Sequence, residues 1–228
     1  MKNKWTKRIM KKNTEDKILL IVEGNTDLEI VKTIFEEALI PLESIDFIAA
    51  NGMAHMPRII KEHRNFYDEI VVLVDLDINN NFEAESVARL EISSEDYDYH
   101  VFTAVPSIES WLFSDIDNAY VKSKGTERTK EILSRLPMPD DIPYPRQLAN
   151  NVFGKNNFRY VLNGFNINAA SSRSPSLRKF VLGISDILRL DSNLKWENEY
   201  VRTAGRDVFA KLVDERNLLF TKHWMAKK

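Results

Sequence analysis

Ile70-Val71-Val72-Leu73-Val74 is an unbroken run of branched apolar residues, and it ends abruptly in Asp75-Leu76-Asp77. A strand with no polar alternation must be covered on both faces, which calls for helices on either side of a mainly parallel sheet. Lys17 to Val22 is a second such run, broken by Glu23-Gly24-Asn25-Thr26, with Thr26 placed to cap a helix. Leu28, Val31, Ile34, Phe35 and Ala38 then recur along one helical face until Pro41. Ile45 to Ala50 reads as a strand, Asn51-Gly52 as a turn, Met56 to His63 as a short helix and Phe82 to Leu90 as another. His100 to Val105 reads as a fourth strand, stopped by Pro106, with a helix opening near Ser107. Strands alternating with helices in this order predict an α/β domain.

Ligands of such sheets lie beyond the carboxyl ends of the strands. Glu23 follows the first strand, Asp75 and Asp77 follow the third, and Glu109 lies just past the fourth. Hard oxygen ligands of this kind suit Mg²⁺, which one or two carboxylates commonly hold together with waters. Asp75 and Asp77 share one face of a regular strand, and loosening past Val74 would let both turn toward one ion. Without a cation, carboxylates this close repel one another and one of them binds a proton. A solvated strand end accounts for Asp75-Leu76-Asp77 taken alone, but not for the matching placement of Glu23 and Glu109.

The rest of the 228 residues narrows the function classes. The chain has no cysteine, which removes disulfides, thiolate metal sites and cysteine nucleophiles and suits a reducing cytoplasm. No apolar run approaches the roughly 20 residues of a membrane helix, and the N-terminus lacks a signal-peptide core. The net charge of -2 gives no overall attraction to polyanions, but Lys2, Lys4, Lys7, Arg8, Lys11 and Lys12 form a local basic head, read as a solvated tail. From about Tyr120 the pattern changes. Pro137, Pro139, Pro143 and Pro145 punctuate a loop-rich stretch, and helical patterns return from Gln147, with helices over Ser176 to Leu188 and Asp207 to Phe220. The expected organisation is a basic tail over 1–16, an α/β domain over 17–124 and a mainly helical region over 125–228.

Ile21-Val22-Glu23-Gly24-Asn25-Thr26-Asp27, followed by Val72-Leu73-Val74-Asp75-Leu76-Asp77, resembles the Toprim fold of topoisomerases, bacterial primases and the OLD-family and rRNA-maturation nucleases. Its pattern is a glutamate, usually followed by glycine, after the first strand and an Asp-x-Asp after the third. The resemblance covers roughly Lys17 to Leu112. Asp27, four residues after Glu23, and Ser107-Ile108-Glu109 after the fourth strand look like the OLD-type nuclease branch. The resemblance implies Mg²⁺- or Mn²⁺-dependent cleavage of phosphodiesters in DNA or RNA. Glu23, Asp75 and Asp77 would hold one ion, and Asp27 and Glu109, with Ser107, would help hold a second. In the same family Glu23 could instead act as general acid or base. Asp27 and Glu109 also lie in first helical turns, where a carboxylate complements the helix dipole. OLD-like domains are often paired with ATPases in antiphage defence. This chain lacks a phosphate-binding Gly-x-x-x-x-Gly-Lys-Ser/Thr loop, so any ATPase would be a separate partner. It also lacks a strand-breaking tyrosine module and the zinc cysteines of primases.

Positive charge for a nucleic acid is best offered by Ser171-Ser172-Arg173-Ser174-Pro175-Ser176-Leu177-Arg178-Lys179, where Arg173, Arg178 and Lys179 flank an expected helix N-terminus. The same segment also reads as an ordinary capped helix with surface bases. Lys155 and Arg159 are a second choice. The four histidines show no ligand spacing, and Trp111 and Phe113 read as core. Two other functions use some of these residues: an Asp-x-Asp nucleotide-sugar transferase, which leaves Glu23-Gly24 unexplained, and a non-catalytic module that binds nucleic acid or a protein.

Overall fold

The branched runs pair side by side in a computed structural model that describes residues 17–76, 81–123, 126–155 and 158–190. The chain divides into two compact units, Met1–Leu190 and Asp191–Lys228, and the described residues belong to the first. The basic head, Asp77 and the helix expected over Asp207 to Phe220 lie outside the described residues.

Four strands, β1 (Ile18–Val22), β2 (Ile45–Ala49), β3 (Glu69–Asp75) and β4 (His100–Ala104), form one parallel sheet in the order β2-β1-β3-β4. Leu20 lies opposite Phe47 on one side and Val71 on the other, and Leu73 lies opposite Phe102. The two central strands are the two most apolar runs, and every residue of β1 is buried. The edge strands β2 and β4 are only partly buried, in keeping with their mixed sequences.

Helices α1 (Asn25–Glu37), α2 (Met56–His63) and α3 (Asn81–Tyr97) supply the crossovers. Met56, Ile60, Val87 and Leu90 from α2 and α3 pack with Leu19, Ile21, Ile70, Val72 and Val74 on one face of the sheet. The opposite face is aromatic. Phe35 of α1 lies near Phe47, with centroids 6.3 Å apart, and stacks at 5.5 Å on Phe180 of a C-terminal helix.

After β4 a 3₁₀ segment, Ile108–Phe113, leads into α4 (Ile116–Lys122), α5 (Glu127–Ser134), a second 3₁₀ turn (Pro139–Asp141), α6 (Pro145–Phe153), α7 (Phe158–Leu162), α8 (Ile167–Arg173) and α9 (Pro175–Ile187). The helix expected near Ser107 is therefore the tighter 3₁₀ form. Helix α5 falls inside the stretch read as loop. It is started by Thr126, whose side chain accepts from the Thr129 amide, and only Ile132 and Leu133 of its eight residues are apolar. No described helix is long and apolar enough to cross a membrane.

Helix α9 lies against β4, and Gly183 sets how closely. A Cβ there would overlap the Phe102 ring, which packs edge-on to Phe180 at 5.6 Å. Alanine is worth about 1 kcal/mol over glycine within a helix. Overpacking typically costs about 1–3 kcal/mol. Gly183→Ala is accordingly expected to lower the midpoint of urea unfolding despite the gain in helix propensity. A raised midpoint would show that the ring moves aside freely.

Candidate metal centre

The connection from β1 runs to β2 through α1 on one face of the sheet. That from β3 runs to β4 in the opposite direction through α3 on the other face. The carboxyl ends of β1 and β3 therefore flank a topological switch point, where a crevice opens because the two connections diverge. Glu23 and Asp75 stand at those two ends.

Backbone amides fix the orientation of the acids. The Asp75 amide donates to Glu23 Oε1 at 2.9 Å, tying the end of β3 to that of β1. The Gly24 amide donates to Asp27 Oδ2 at 2.8 Å, which starts α1 and turns Asp27 back toward the strand ends. The Ile108 amide donates to Asp75 Oδ1 at 2.9 Å and draws in the segment after β4. Glu109 follows one residue later and is only 2% exposed. Its Oε2 accepts from the Ser107 hydroxyl at 2.6 Å, and its Oε1 meets Arg146 Nε at 3.0 Å.

Burial and the neighbouring carboxylates disturb the ionisation of Asp27 and Asp75. Burial raises the Asp27 pKa from 3.8 to about 6, with Glu109 and Glu23 adding to the rise and the Gly24 amide and Arg146 opposing it. Burial likewise holds the Asp75 carboxyl well above its usual range, assisted by Asp27, Glu109 and Glu23 and opposed by the Ile108 amide. Glu23, Asp27, Asp75 and Glu109 thus form one electrostatic unit.

The donor set consists of carboxylate oxygens with a nearby serine hydroxyl, the chemistry that suits Mg²⁺ or Mn²⁺. Among the described residues, no three Asp, Glu or His side chains are grouped closely enough to hold an ion as they stand. Both Glu109 oxygens already have partners.

A stability effect follows from Asp27. An acid whose pKa is raised on folding binds a proton more readily in the folded state. Stability therefore falls as pH rises from about 4 to about 6, and stays lowered above that. The shift of about two units corresponds to about 3 kcal/mol. The lost helix-dipole contact returns roughly 0.3–1 kcal/mol of this. Asp27→Asn, whose amide oxygen can still accept from Gly24, should stabilise the metal-free protein by about 2–2.7 kcal/mol at pH 7.5. The gain should vanish below about pH 4. Equal midpoints for variant and wild type at pH 7.5 would refute this account of Asp27.

The basic segment is differently employed. Arg173 Nη1 donates to the Phe113 carbonyl at 3.3 Å, and Asp115 and Asp117 act on its charge. At the start of α9, Asp140 accepts from the Ser174 hydroxyl at 2.6 Å and from the Ser176 amide at 2.9 Å. The helix N-terminus expected to receive a phosphate thus already holds a carboxylate of the chain itself. Arg178 is half-buried, and Lys179 is exposed.

Arg146, the cation that does reach the acidic unit, carries no sequence signal. It is a single arginine behind Pro143-Tyr144-Pro145, 37 residues beyond Glu109. Only the packing of α6 against the 3₁₀ segment after β4 brings the two together.

No protein-family model and no curated protein sequence matches this chain. Among solved structures, the chain is similar to the C-terminal region of the Burkholderia pseudomallei OLD protein, with a TM-score of 0.53 and 22% identity. The match covers 76% of this chain and 98% of that one. The fold is accordingly a Toprim-like α/β fold, a four-stranded parallel sheet flanked by helices.

Proposed function

We propose that the chain is a metal-dependent nuclease of Toprim type that cleaves phosphodiester bonds in DNA or RNA. The observation that carries this reading is the convergence of Glu23, Asp27, Asp75 and Glu109 at the switch point, with Asp27 and Asp75 raised in pKa by burial and by one another's neighbours. Stability alone does not favour such a cluster, whereas perturbed carboxylates in a crevice are a common mark of function. Glu23 and Asp75, with Asp77, would hold one Mg²⁺ or Mn²⁺, and Asp27 and Glu109, with Ser107, a second. When bound, such ions supply charge neutralisation at the phosphate and an acidified water. The chain's own contribution is orientation. The amides of Gly24, Asp75 and Ile108 hold three carboxylates toward the crevice, so that little rearrangement remains when a substrate arrives. On the sequence resemblance, the proposal extends to a separate ATPase partner and a role in antiphage defence.

The test is cleavage of end-labelled single- and double-stranded DNA and RNA across a millimolar Mg²⁺ series, with EDTA as control. Cleavage of at least one substrate that rises with Mg²⁺ and stops with EDTA is expected. Metal-independent cleavage, or none on any of the four substrates with either Mg²⁺ or Mn²⁺, would overturn the proposal.

A further inference from the structure

Glu109 is a deeply buried carboxylate whose partners differ in kind. On one oxygen sits the Ser107 hydroxyl at 2.6 Å, local to its own turn. On the other sits Arg146 Nε at 3.0 Å, from a distant helix. The carboxylate side chain is 3% exposed, and the arginine side chain is 69% exposed. One half of this ion pair is fixed in the crevice, and the other reaches in from solvent on a long, largely unpacked stem. Arg146 follows Pro145, the buried first residue of α6, so its backbone is anchored while its guanidinium can leave.

A buried carboxylate with no partner is costly, and removing one member of such a pair leaves that cost behind. A positive charge beside Glu109 removes that cost. The field of Arg146 also reaches Asp27, where it opposes the repulsion from Glu109 and Glu23. The arginine side chain is largely exposed, so water can replace its contact with Glu109 when the guanidinium moves.

We propose that Arg146 is a tethered, exchangeable counter-ion: it neutralises Glu109 while no divalent cation is bound and yields the carboxylate when one arrives. This rests on the metal-site reading above. Arg146 is a positioning residue in this scheme, because it acts through Glu109. The arginine and the divalent cation compete for one carboxylate, so each must weaken the other's hold to the same degree.

The experiment is calorimetric titration of MnCl₂ into wild type, Arg146→Gln, Glu109→Gln and the double variant, with melting curves recorded with and without metal. Arg146→Gln should melt lower than wild type without metal, bind Mn²⁺ roughly 5–10-fold more tightly, near the low end of usual coupling strengths, and recover its melting temperature once loaded. In the Glu109→Gln background the same arginine change should alter Mn²⁺ affinity much less than it does in wild type. Equal Mn²⁺ affinity in wild type and Arg146→Gln, or weaker binding in the variant, overturns the exchange while leaving the metal site standing. No Mn²⁺ binding by any of the four proteins overturns the metal site itself, and the exchange with it.

Discussion

Asp75→Asn should lose catalysis and gain stability in the same molecule. The asparagine oxygen can keep the 2.9 Å bond from the Ile108 amide, so the segment after β4 stays in place. What disappears is a charge that burial and three neighbouring carboxylates disfavour. Because the folded-state pKa lies above the unfolded value, ionised Asp75 lowers stability as pH rises through that window. Its neutral replacement therefore melts higher at pH 7.5, and this advantage is lost near pH 3, where aspartate is protonated in both states. Metal-dependent cleavage should fall by roughly 10²–10³-fold, the loss typical when one preorganised electrostatic group is removed. The paired outcome is informative because a purely structural residue would move stability downward and activity with it. Wild-type turnover in Asp75→Asn would remove this residue from the site.

The largest stability loss is expected at Trp111. Its ring is fully buried and stacks on Phe180 with centroids 5.5 Å apart. Its indole Nε1 donates to Ser176 Oγ at 2.8 Å, joining the segment after β4 to the first turn of α9. Trp111→Ala opens a large cavity beneath the sheet, and such changes cost about 3–5 kcal/mol. For a domain of this size that corresponds to a fall of roughly 6–20 °C in Tm. Trp111→Phe keeps most of the packing and loses only the N–H donor, so about 1–2 kcal/mol is expected. Chemical denaturation of both variants separates cavity from hydrogen bond. If Trp111→Phe proved as damaging as Trp111→Ala, the polar link would dominate over the packing.

The sequence and the structure agree where chemistry is local. Unbroken branched runs could only be central strands, and the parallel order placed their carboxyl ends together, so Glu23, Asp75 and the neighbourhood of Glu109 were legible. Trp111 and Phe113 read as core, and both are buried. What sequence could not show was pairing across long separations. Arg146 meets Glu109 only through tertiary packing. Asp140 lies 34 residues before Ser174, yet it occupies the helix start that Arg173, Arg178 and Lys179 suggested for a phosphate. A serine-rich cap looks the same in sequence whether its amides face a ligand or a carboxylate of the same chain. Helix α5 was hidden because it is short and carries only two apolar residues, Ile132 and Leu133, too few to mark a face.

Under the proposed function, the crevice between β1 and β3 binds a divalent cation through these carboxylates. Its most direct test is an anomalous difference map from crystals soaked in MnCl₂. A manganese peak is expected at the carboxyl ends of β1 and β3, ligated by Glu23 and Asp75, and absent from crystals of Asp75→Asn treated identically. Manganese bound elsewhere, with no peak at Glu23 and Asp75, would contradict it.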